Sequence, residues 1–123
     1  MDNDKSYKQL RMENLTNKYT TVYVESNFNF NAPHNFKVVK SDNNEQIVDI
    51  HFQEGPIKEC GVNGVCNEDL INMVLCRLQH FQESEFKCDE NANAIIYLKS
   101  ALDELRNRTN KREKRGVEGT HVV

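Results

Sequence analysis

The chain has 123 residues, a length typical of one small domain or of two half-domains that share a core. Apolar residues make up 37% of it and its mean hydropathy is −0.76, so a lone monomer has little apolar surface to bury and we expect oligomers. The net charge of −3 argues against a protein that coats DNA or RNA through bulk positive charge. No apolar run approaches the roughly 18 residues of a membrane span, and the polar N-terminus is unlike a signal peptide, so we expect a cytoplasmic protein without a membrane partner.

The first half of the chain has the pattern of a small antiparallel sheet preceded by a polar arm. Residues 1–18 are mostly polar and predict a frayed arm or a short helix. Residues 19–25 are β-branched and aromatic, which is typical of a strand. Two further strands, 36–40 and 46–52, flank a turn at 41–45 that is rich in residues tolerant of left-handed backbone. Such a three-stranded sheet needs a partner to pack on.

The second half predicts two amphipathic helices. After Gly55-Pro56 ends the sheet, one helix covers about 67–82, with Asn67 as its N-cap. A longer helix covers about 89–115. Because few residues connect the two, we expect an antiparallel helical hairpin. The last eight residues contain two glycines and no periodicity, which predicts a C-cap and then an extended tail.

These elements predict an α+β fold, with residues 1–54 as the arm and the sheet and residues 55–123 as the hairpin and the tail. Apolar residues that recur at helical spacing define the packing face of each helix. In the first helix they are Leu70, Val74, Leu78 and Phe81, with Met73 and Leu75 widening the stripe, and in the second Ala94, Ile95, Leu98, Ala101, Leu102 and Leu105.

Motifs of enzymes and metal sites are missing from the sequence. The four cysteines form no C-x-x-C pair, so we expect free thiols rather than a metal or redox site. There is no P-loop, no dinucleotide-binding glycine motif and no H-E-x-x-H, and the four histidines have no motif context. We therefore expect no catalytic residue, no metal and no cofactor.

The C-terminal end of the second helix is basic. Between Lys99 and Arg115 it carries seven basic and three acidic side chains, a net charge of +4 in a chain of −3. Arg108, Thr109 and Arg112 continue the apolar face of this helix. One interpretation is that the helix outruns its partner and that the arginines are solvated cations favoured by the helix dipole. The other is that this face lines an anion pocket, since arginine suits bidentate phosphate recognition.

An aromatic residue and an amide lie where the hairpin is expected to close. Phe81 ends the face of the first helix and Asn91 begins that of the second. An aromatic ring beside an amide suits a purine, although Phe81 as a terminal core residue is an equally good interpretation. Residues 91 and 108 lie about 25 Å apart along one helix. One small ligand can therefore touch both only if the second helix comes from another, antiparallel protomer.

Five motifs lie between residues 52 and 121. The longest is R-T-x-x-R-x-x-R-G-V-E-G-T-H at 108–121, and the others are F-Q-E-G-P-I-K at 52–58, G-V-N-G at 61–64, H-F-Q at 80–82 and E-N-A at 90–92. Together they resemble a family of small phage proteins, the Thoeris anti-defence sponges, which share a helical hairpin domain with the phage anti-CBASS sponges. Residues 1–51 resemble this family only in general character.

The resemblance implies a binding protein that captures glyco-cyclic ADP-ribose, the cyclic ADP-ribose isomer made by bacterial TIR-domain enzymes, in the host cytoplasm without degrading it. It also implies separate sites in some members for CBASS cyclic di- or trinucleotides. The ligand would lie between protomers of a homo-oligomer, in which dimers build a larger ring such as a hexamer. By motif, the base-stacking residue would be Phe81, its hydrogen-bonding neighbour Asn91, and the ligand or phosphate contacts Arg108, Thr109, Arg112 and Arg115.

An alternative function is a small phage nucleic-acid-binding or assembly protein that uses the basic second helix. That function predicts salt-dependent DNA binding through Arg108 and Arg112, and no binding of cyclic ADP-ribose isomers. The family resemblance instead predicts no DNA partner.

Overall fold

The computed structural model describes residues 6–123 and divides the chain into two compact units. The first unit ends at Val65 and the second comprises Cys66–Val123. A boundary after residue 54 is expected from the sequence, whereas residues 55–65 lie in the sheet unit. The part of the predicted N-terminal arm before Ser6 lies outside the described residues.

The first unit contains a four-stranded antiparallel sheet in which each strand pairs with the next along the chain. Three strands confirm the predictions from β-branched and aromatic runs. The remaining strand is a correction, because part of the polar arm forms an edge strand rather than a frayed or helical segment. Polar residues are common on edge strands, so this pairing leaves little sequence signal. The strands are β1 (Tyr7–Gln9), β2 (Thr20–Glu25), β3 (Asn35–Lys40) and β4 (Gln46–His51).

A row of valines crosses the middle of the sheet. Val38 of β3 lies opposite Val22 of β2 on one side and Val48 of β4 on the other. The turn between β3 and β4 is closed by a hydrogen bond from Lys40 N–H to the Glu45 carbonyl at 2.8 Å. Its left-handed residue is an asparagine, Asn44 at φ +61°, as the composition of this turn predicts.

A buried carboxylate fixes the loop between β2 and β3. The Glu25 side chain is 2% exposed, and its Oε2 accepts hydrogen bonds from the backbone N–H groups of His34 at 2.7 Å and Asn35 at 2.9 Å. The side-chain amide of Asn35 donates to the same oxygen at 3.1 Å. The His34 ring in turn bonds to the carbonyl of Asn29 at 2.7 Å. Because a buried carboxylate is costly without partners, this network favours one loop conformation.

The segment after β4 folds back on itself and contains α1 (Ile57–Cys60), a single turn that the sequence analysis did not predict. Two side chains hold it together. The Oε1 atom of Gln53 accepts a hydrogen bond from Asn63 N–H at 3.0 Å, and Oδ1 of Asn63 accepts one from Glu54 N–H at 2.8 Å. These reciprocal bonds satisfy backbone groups that lie outside any helix or strand.

The same segment returns to the end of the sheet. Val65 forms a parallel bridge with Phe52. Gly64 permits this approach, because a Cβ atom there would lie 2.5 Å from the Phe52 carbonyl carbon. The backbone contact explains why residues 55–65 belong with the sheet.

In the second unit, α2 (Asn67–Gln82) confirms the predicted bounds of the first helix. Its N-cap is Cys66 and not Asn67, because Cys66 has extended backbone (φ −91°, ψ 157°). Oδ2 of Asp69 accepts a hydrogen bond from the Cys66 N–H at 2.8 Å. Because Cys66 precedes the helix, its N–H has no partner in the helical ladder and needs this side chain.

The buried face of α2 lies at one edge of the predicted face. Leu75, which was predicted only to widen that face, is 8% exposed, whereas Val74, a main member of it, is 49% exposed. Apolar residues occur around most of this helix, so spacing alone does not choose between adjacent stripes. The residues that extend the stripe of Leu75 in alternating steps of three and four are Glu68, Ile71, Leu78 and Gln82, all half-buried.

The second helix, α3 (Asp89–Lys114), is continuous and ends one residue before the predicted bound. The Cys88 thiol accepts a hydrogen bond from Asn91 N–H at 3.4 Å, and Gly116 at φ +72° follows the C-cap Arg115. The helices α2 and α3 contact each other and are connected by residues 83–88. Their antiparallel orientation stays a prediction.

None of the helices in residues 6–123 has the length and apolar character that crossing a membrane requires.

Candidate ligand-binding site

One stripe of half-buried residues runs along α3 and has polar residues at both ends. Its steps alternate between four and three residues, the spacing that keeps side chains on one helix face. The stripe agrees with the predicted face except at Ala101 and Arg108, which are exposed. In order, it contains Asn91, Ile95, Leu98, Leu102, Leu105, Thr109 and Arg112.

Phe81 lies in the last turn of α2, and 42% of its side chain is exposed. Within this chain, Phe81 is therefore not the terminal core residue that one interpretation of the sequence predicted. The guanidinium carbon of Arg77, one helical turn earlier, lies over the ring at 5.6 Å from its centroid. An exposed ring with a cation above it provides a surface on which a nucleobase can stack.

Arg77 is a residue that the sequence analysis missed. The signal was available, because an arginine four residues before an aromatic residue lies on the same helix surface. The predicted face placed Phe81 against the core, where no cation was expected.

Asn91 is half-buried in the first turn of α3. Its backbone N–H is used by the Cys88 thiol, but its side-chain amide has no hydrogen-bond partner in residues 6–123. An amide can donate and accept at once, so this group is available to a ligand that presents both functions.

Arg108 and Thr109 occupy the last third of α3. Arg108 is exposed and forms no hydrogen bond or ion pair within the described part of the chain, while Thr109 is half-buried. The two adjacent residues therefore differ in environment: a solvated cation stands next to a sheltered hydroxyl.

Arg112 is engaged by its own chain, which corrects the prediction of an extended tail. Its Nη2 donates to the carbonyls of Val117 at 3.0 Å and Thr120 at 3.1 Å. The planar guanidinium holds several donors in fixed directions, so one side chain can close a turn around two carbonyls. Arg115, at the C-cap, donates to the carbonyl of Val123.

The structure groups four of the predicted site residues and separates them from the rest. Arg108, Thr109, Arg112 and Arg115 lie within the last two turns of α3 and its C-cap. Asn91 lies at the other end of the same continuous helix, about 25 Å away along its axis. One small ligand cannot reach both groups within a single copy of the chain.

The cysteines lie outside this grouping. All four are free thiols of exposed residues. Partial desolvation of the Cys66 thiol, and then the carboxylates of Asp69 and Glu68, raise its pKa. No cluster of three or more potential metal-binding side chains occurs in residues 6–123.

Two comparisons with known proteins bear on this arrangement. A family model described as Acb2/Tad1, hairpin domain, matches residues 43–109, which is more than half of the chain. Thoeris anti-defense 1 from Bacillus phage SBSphiJ7 is 43% identical over 139 aligned residues, which cover 93% of this chain and 98% of that protein. The family match includes Phe81, Asn91, Arg108 and Thr109, and it ends before Arg112.

Proposed function

This chain belongs to the Acb2/Tad1 hairpin family, and from that membership we propose that it is a phage anti-defence protein that binds and withholds a cyclic nucleotide immune signal. The observation that carries the proposal is its 43% identity, over 93% of the chain, to a phage protein named Thoeris anti-defense 1. A protein of this kind acts inside the host cell, where the signal is made. It needs affinity and not turnover, so we propose that it is not an enzyme.

The proposed ligand is glyco-cyclic ADP-ribose, made by the TIR-domain proteins of the Thoeris system. This molecule contains an adenine base and a diphosphate, which need different partners. The exposed ring of Phe81 offers a stacking surface, and the unpaired amide of Asn91 offers a donor and an acceptor for the base edge. The guanidinium groups of Arg106 and Arg108 are both unengaged by the described residues, and Arg108 is the one that begins the R-T-x-x-R motif, which makes it the proposed phosphate contact.

We propose that a complete site needs two copies of the chain. The two groups of site residues lie about 25 Å apart on α3, so Arg108 must approach the Phe81 and Asn91 of another protomer. Apolar side chains exposed on the helices support association. They would form the contact in an antiparallel dimer, from which a larger ring such as a hexamer is built. These side chains are Met73 and Val74 on α2 and Ile96 and Tyr97 on α3.

A second ligand class, the cyclic di- or trinucleotides of CBASS, is proposed to bind at a separate site. The proposal rests on the family resemblance, since the Thoeris anti-defence sponges share a helical hairpin domain with the anti-CBASS sponges and the hairpin model matches residues 43–109 of this chain. Separate sites predict that a saturating cyclic trinucleotide leaves the affinity for glyco-cyclic ADP-ribose unchanged. Competition between the two would place both ligands in one site.

The proposed function is tested by recovering the ligand. Purified protein is incubated with glyco-cyclic ADP-ribose, freed of unbound ligand and heat-denatured, and the released nucleotide is identified by mass spectrometry. Recovery of intact ligand at a fixed ratio to protein supports sequestration. A hydrolysed product identifies an enzyme instead. The matched control is Phe81→Ala, which we expect to retain little ligand after the same wash.

A parallel measurement separates sequestration from nucleic-acid binding. DNA binding that weakens steeply with salt and is lost in Arg108→Ala, without retention of any cyclic ADP-ribose isomer, would assign the basic end of α3 to a nucleic-acid partner. We expect weak DNA binding at most, because two of the arginines there already bond to backbone carbonyls.

A further inference from the structure

The last eight residues form a compact turn at the end of α3. Gly116, at φ +72°, reverses the chain direction, and the Val117 N–H then donates to the carbonyl of Arg112 at 3.1 Å. A second turn follows, in which the Thr120 N–H donates to the Val117 carbonyl at 3.1 Å, with Gly119 at φ +77° between them. Both left-handed positions are glycines, so the sequence suits this backbone path.

Arg112 fastens the turn from the side. Its Nη2 donates to the carbonyls of Val117 and Thr120, the two residues that begin and end the second turn. The Thr120 hydroxyl adds a bond to the Val117 carbonyl at 2.6 Å. Residues 117–120 and Arg112 are all half-buried, so water competes only partly for these bonds. The turn is therefore held by one charged side chain whose loss would leave two carbonyls without that donor.

The turn is close in sequence and in space to the proposed phosphate contact. Arg112 lies one helical turn after Arg108, on a neighbouring surface of α3, and directly follows Thr109 on the half-buried stripe. Two of the five N–H donors of Arg112 are occupied by the turn, whereas Arg108 is not engaged by the described residues. The two arginines are therefore placed for different tasks.

We propose that Arg112 is a positioning residue for ligand capture, because it keeps the turn at 117–120 folded against the end of α3 and that folded turn is part of the binding-competent state. This inference rests on the proposed function and refines it: Arg108 contacts the ligand, and Arg112 acts through the turn. The affinity of a protein falls in proportion to the fraction of molecules in the competent state. A variant whose turn is folded in about one molecule in ten should thus bind about tenfold more weakly.

The test perturbs the turn from two directions. Arg112→Gln removes the guanidinium, and Gly119→Ala strains the left-handed backbone position without changing any charge. Lys114→Gln is the matched control, since it removes a cation from the same helix end and makes no hydrogen bond to the turn. Amide hydrogen exchange of residues 117–123 is measured without ligand, and affinity for glyco-cyclic ADP-ribose is measured by calorimetry, for each variant and for the Arg112→Gln/Gly119→Ala double variant.

We expect faster exchange in both single variants and an affinity loss that matches the loss of folded turn. The double variant should exchange faster than either single variant and lose affinity in proportion to its remaining folded turn, since both changes act on one folding equilibrium. An affinity loss in any variant that is out of proportion to its loss of folded turn, unchanged exchange in Arg112→Gln, or faster exchange without loss of affinity would each overturn the inference. If the unaltered protein does not bind the nucleotide, the proposed function fails, and the proposed role of Arg112 in capture fails with it. The exchange data then still decide whether Arg112 holds the turn.

Discussion

The guanidinium of Arg77 lies over the ring of Phe81, 5.6 Å from the ring centroid, on the surface of a helix whose core face is elsewhere. This cation covers one side of a ring that remains 42% exposed. A cation and an aromatic ring stacked in this way form a polarised surface without using a core position.

Removing the ring should reduce ligand capture and leave the helices folded. Base–aromatic stacking contributes about 1–3 kcal/mol per base, so Phe81→Ala should weaken binding of glyco-cyclic ADP-ribose by about tenfold or more. The circular dichroism spectrum should not change, because the side chain is not in the core. The exposed neighbour His80, changed to alanine, is the control and should bind normally. Unchanged affinity in Phe81→Ala would show that the base lies elsewhere.

Arg77 should matter through its shape as well as its charge. The contact is already present without ligand, so it can aid binding only by holding the ring in place, and Arg77→Leu should weaken binding by a few-fold at most. Arg77→Lys keeps the charge but loses the planar group, and we expect an intermediate affinity. The comparison is made by calorimetry at two salt concentrations. Equal affinities for all three proteins would remove Arg77 from the site.

Arg108 should be the arginine whose loss acts directly on the ligand. A hydrogen bond to a charged group contributes about 1.5–3 kcal/mol, so Arg108→Ala should lower affinity by about tenfold or more. It should leave hydrogen exchange of the C-terminal turn unchanged. Lys99→Ala removes the same charge from an exposed position of α3 and serves as the control. Equal losses in the two variants would indicate only a general effect of net charge.

The oligomer should depend on the exposed apolar residues of the helical unit. Val74→Glu and Tyr97→Glu place a charge where the proposed second copy packs, so both should reduce the mass measured by sedimentation and abolish nucleotide binding. Ile47→Glu makes the same kind of change on β4 of the sheet unit, and it should leave the mass unaltered. A monomeric variant that still binds with full affinity would contradict the shared site.

The thiol of Cys66 should ionise at a higher pH than an ordinary cysteine thiol. Burial disfavours its thiolate, and the adjacent carboxylates of Asp69 and Glu68 act in the same direction, so its pKa is raised. In a protein with serine at the other three cysteine positions, the rate of alkylation should reach its half-maximum at a higher pH than in a model thiol. Asp69→Asn removes one like charge and should lower that pH. A shift in the opposite direction would contradict this account.

Stability of the sheet unit should depend on Glu25. Its carboxylate accepts three hydrogen bonds from His34 and Asn35, and leaving buried donors unpaired costs about 1–3 kcal/mol. Glu25→Ala should therefore lower the midpoint of urea unfolding clearly. Glu45→Ala is the matched change at an exposed carboxylate, which lies 3.6 Å from Lys40, and should cost less than about 1 kcal/mol. Similar midpoints for the two variants would rule out this role for Glu25.

Local pattern was sufficient for most of the fold. The strands β2 to β4 and the bounds of α2 follow from β-branched runs, turn residues and helical periodicity, which are properties of neighbouring residues. The strand at Tyr7–Gln9 depends on pairing with residues 23–25, and no local signal in a polar segment indicates such a partner. Leu75 and Val74 both lie on the predicted face of α2, and the burial of Leu75 in preference to Val74 depends on where α3 packs, which the spacing of α2 does not specify.

In the candidate site, too, local sequence pattern predicted some features and missed those that depend on folding. The residue types at 81, 91 and 108 could be recognised because an aromatic, an amide and an arginine interrupt an otherwise apolar pattern. The hydrogen bonds of Arg112 could not be predicted from the sequence. Its partners are backbone carbonyls, which every residue carries. The two glycines at 116 and 119 are the available signal: the predicted C-cap agrees with the left-handed Gly116, whereas the predicted extended tail is wrong because Gly119 lies in a second turn.

Because α3 is one continuous helix, it also determines how many ligand molecules the proposed oligomer can hold. Because Asn91 and Arg108 of one chain cannot serve the same ligand, each chain of the proposed dimer would contribute half of one site and the complementary half of another. In a two-fold symmetric pair this gives two equivalent sites, and hence one ligand per chain at saturation. A protein that binds without turnover withdraws no more signal molecules than it has sites. The number of copies made during infection would then determine how much signal the host must produce before free messenger reaches its effector.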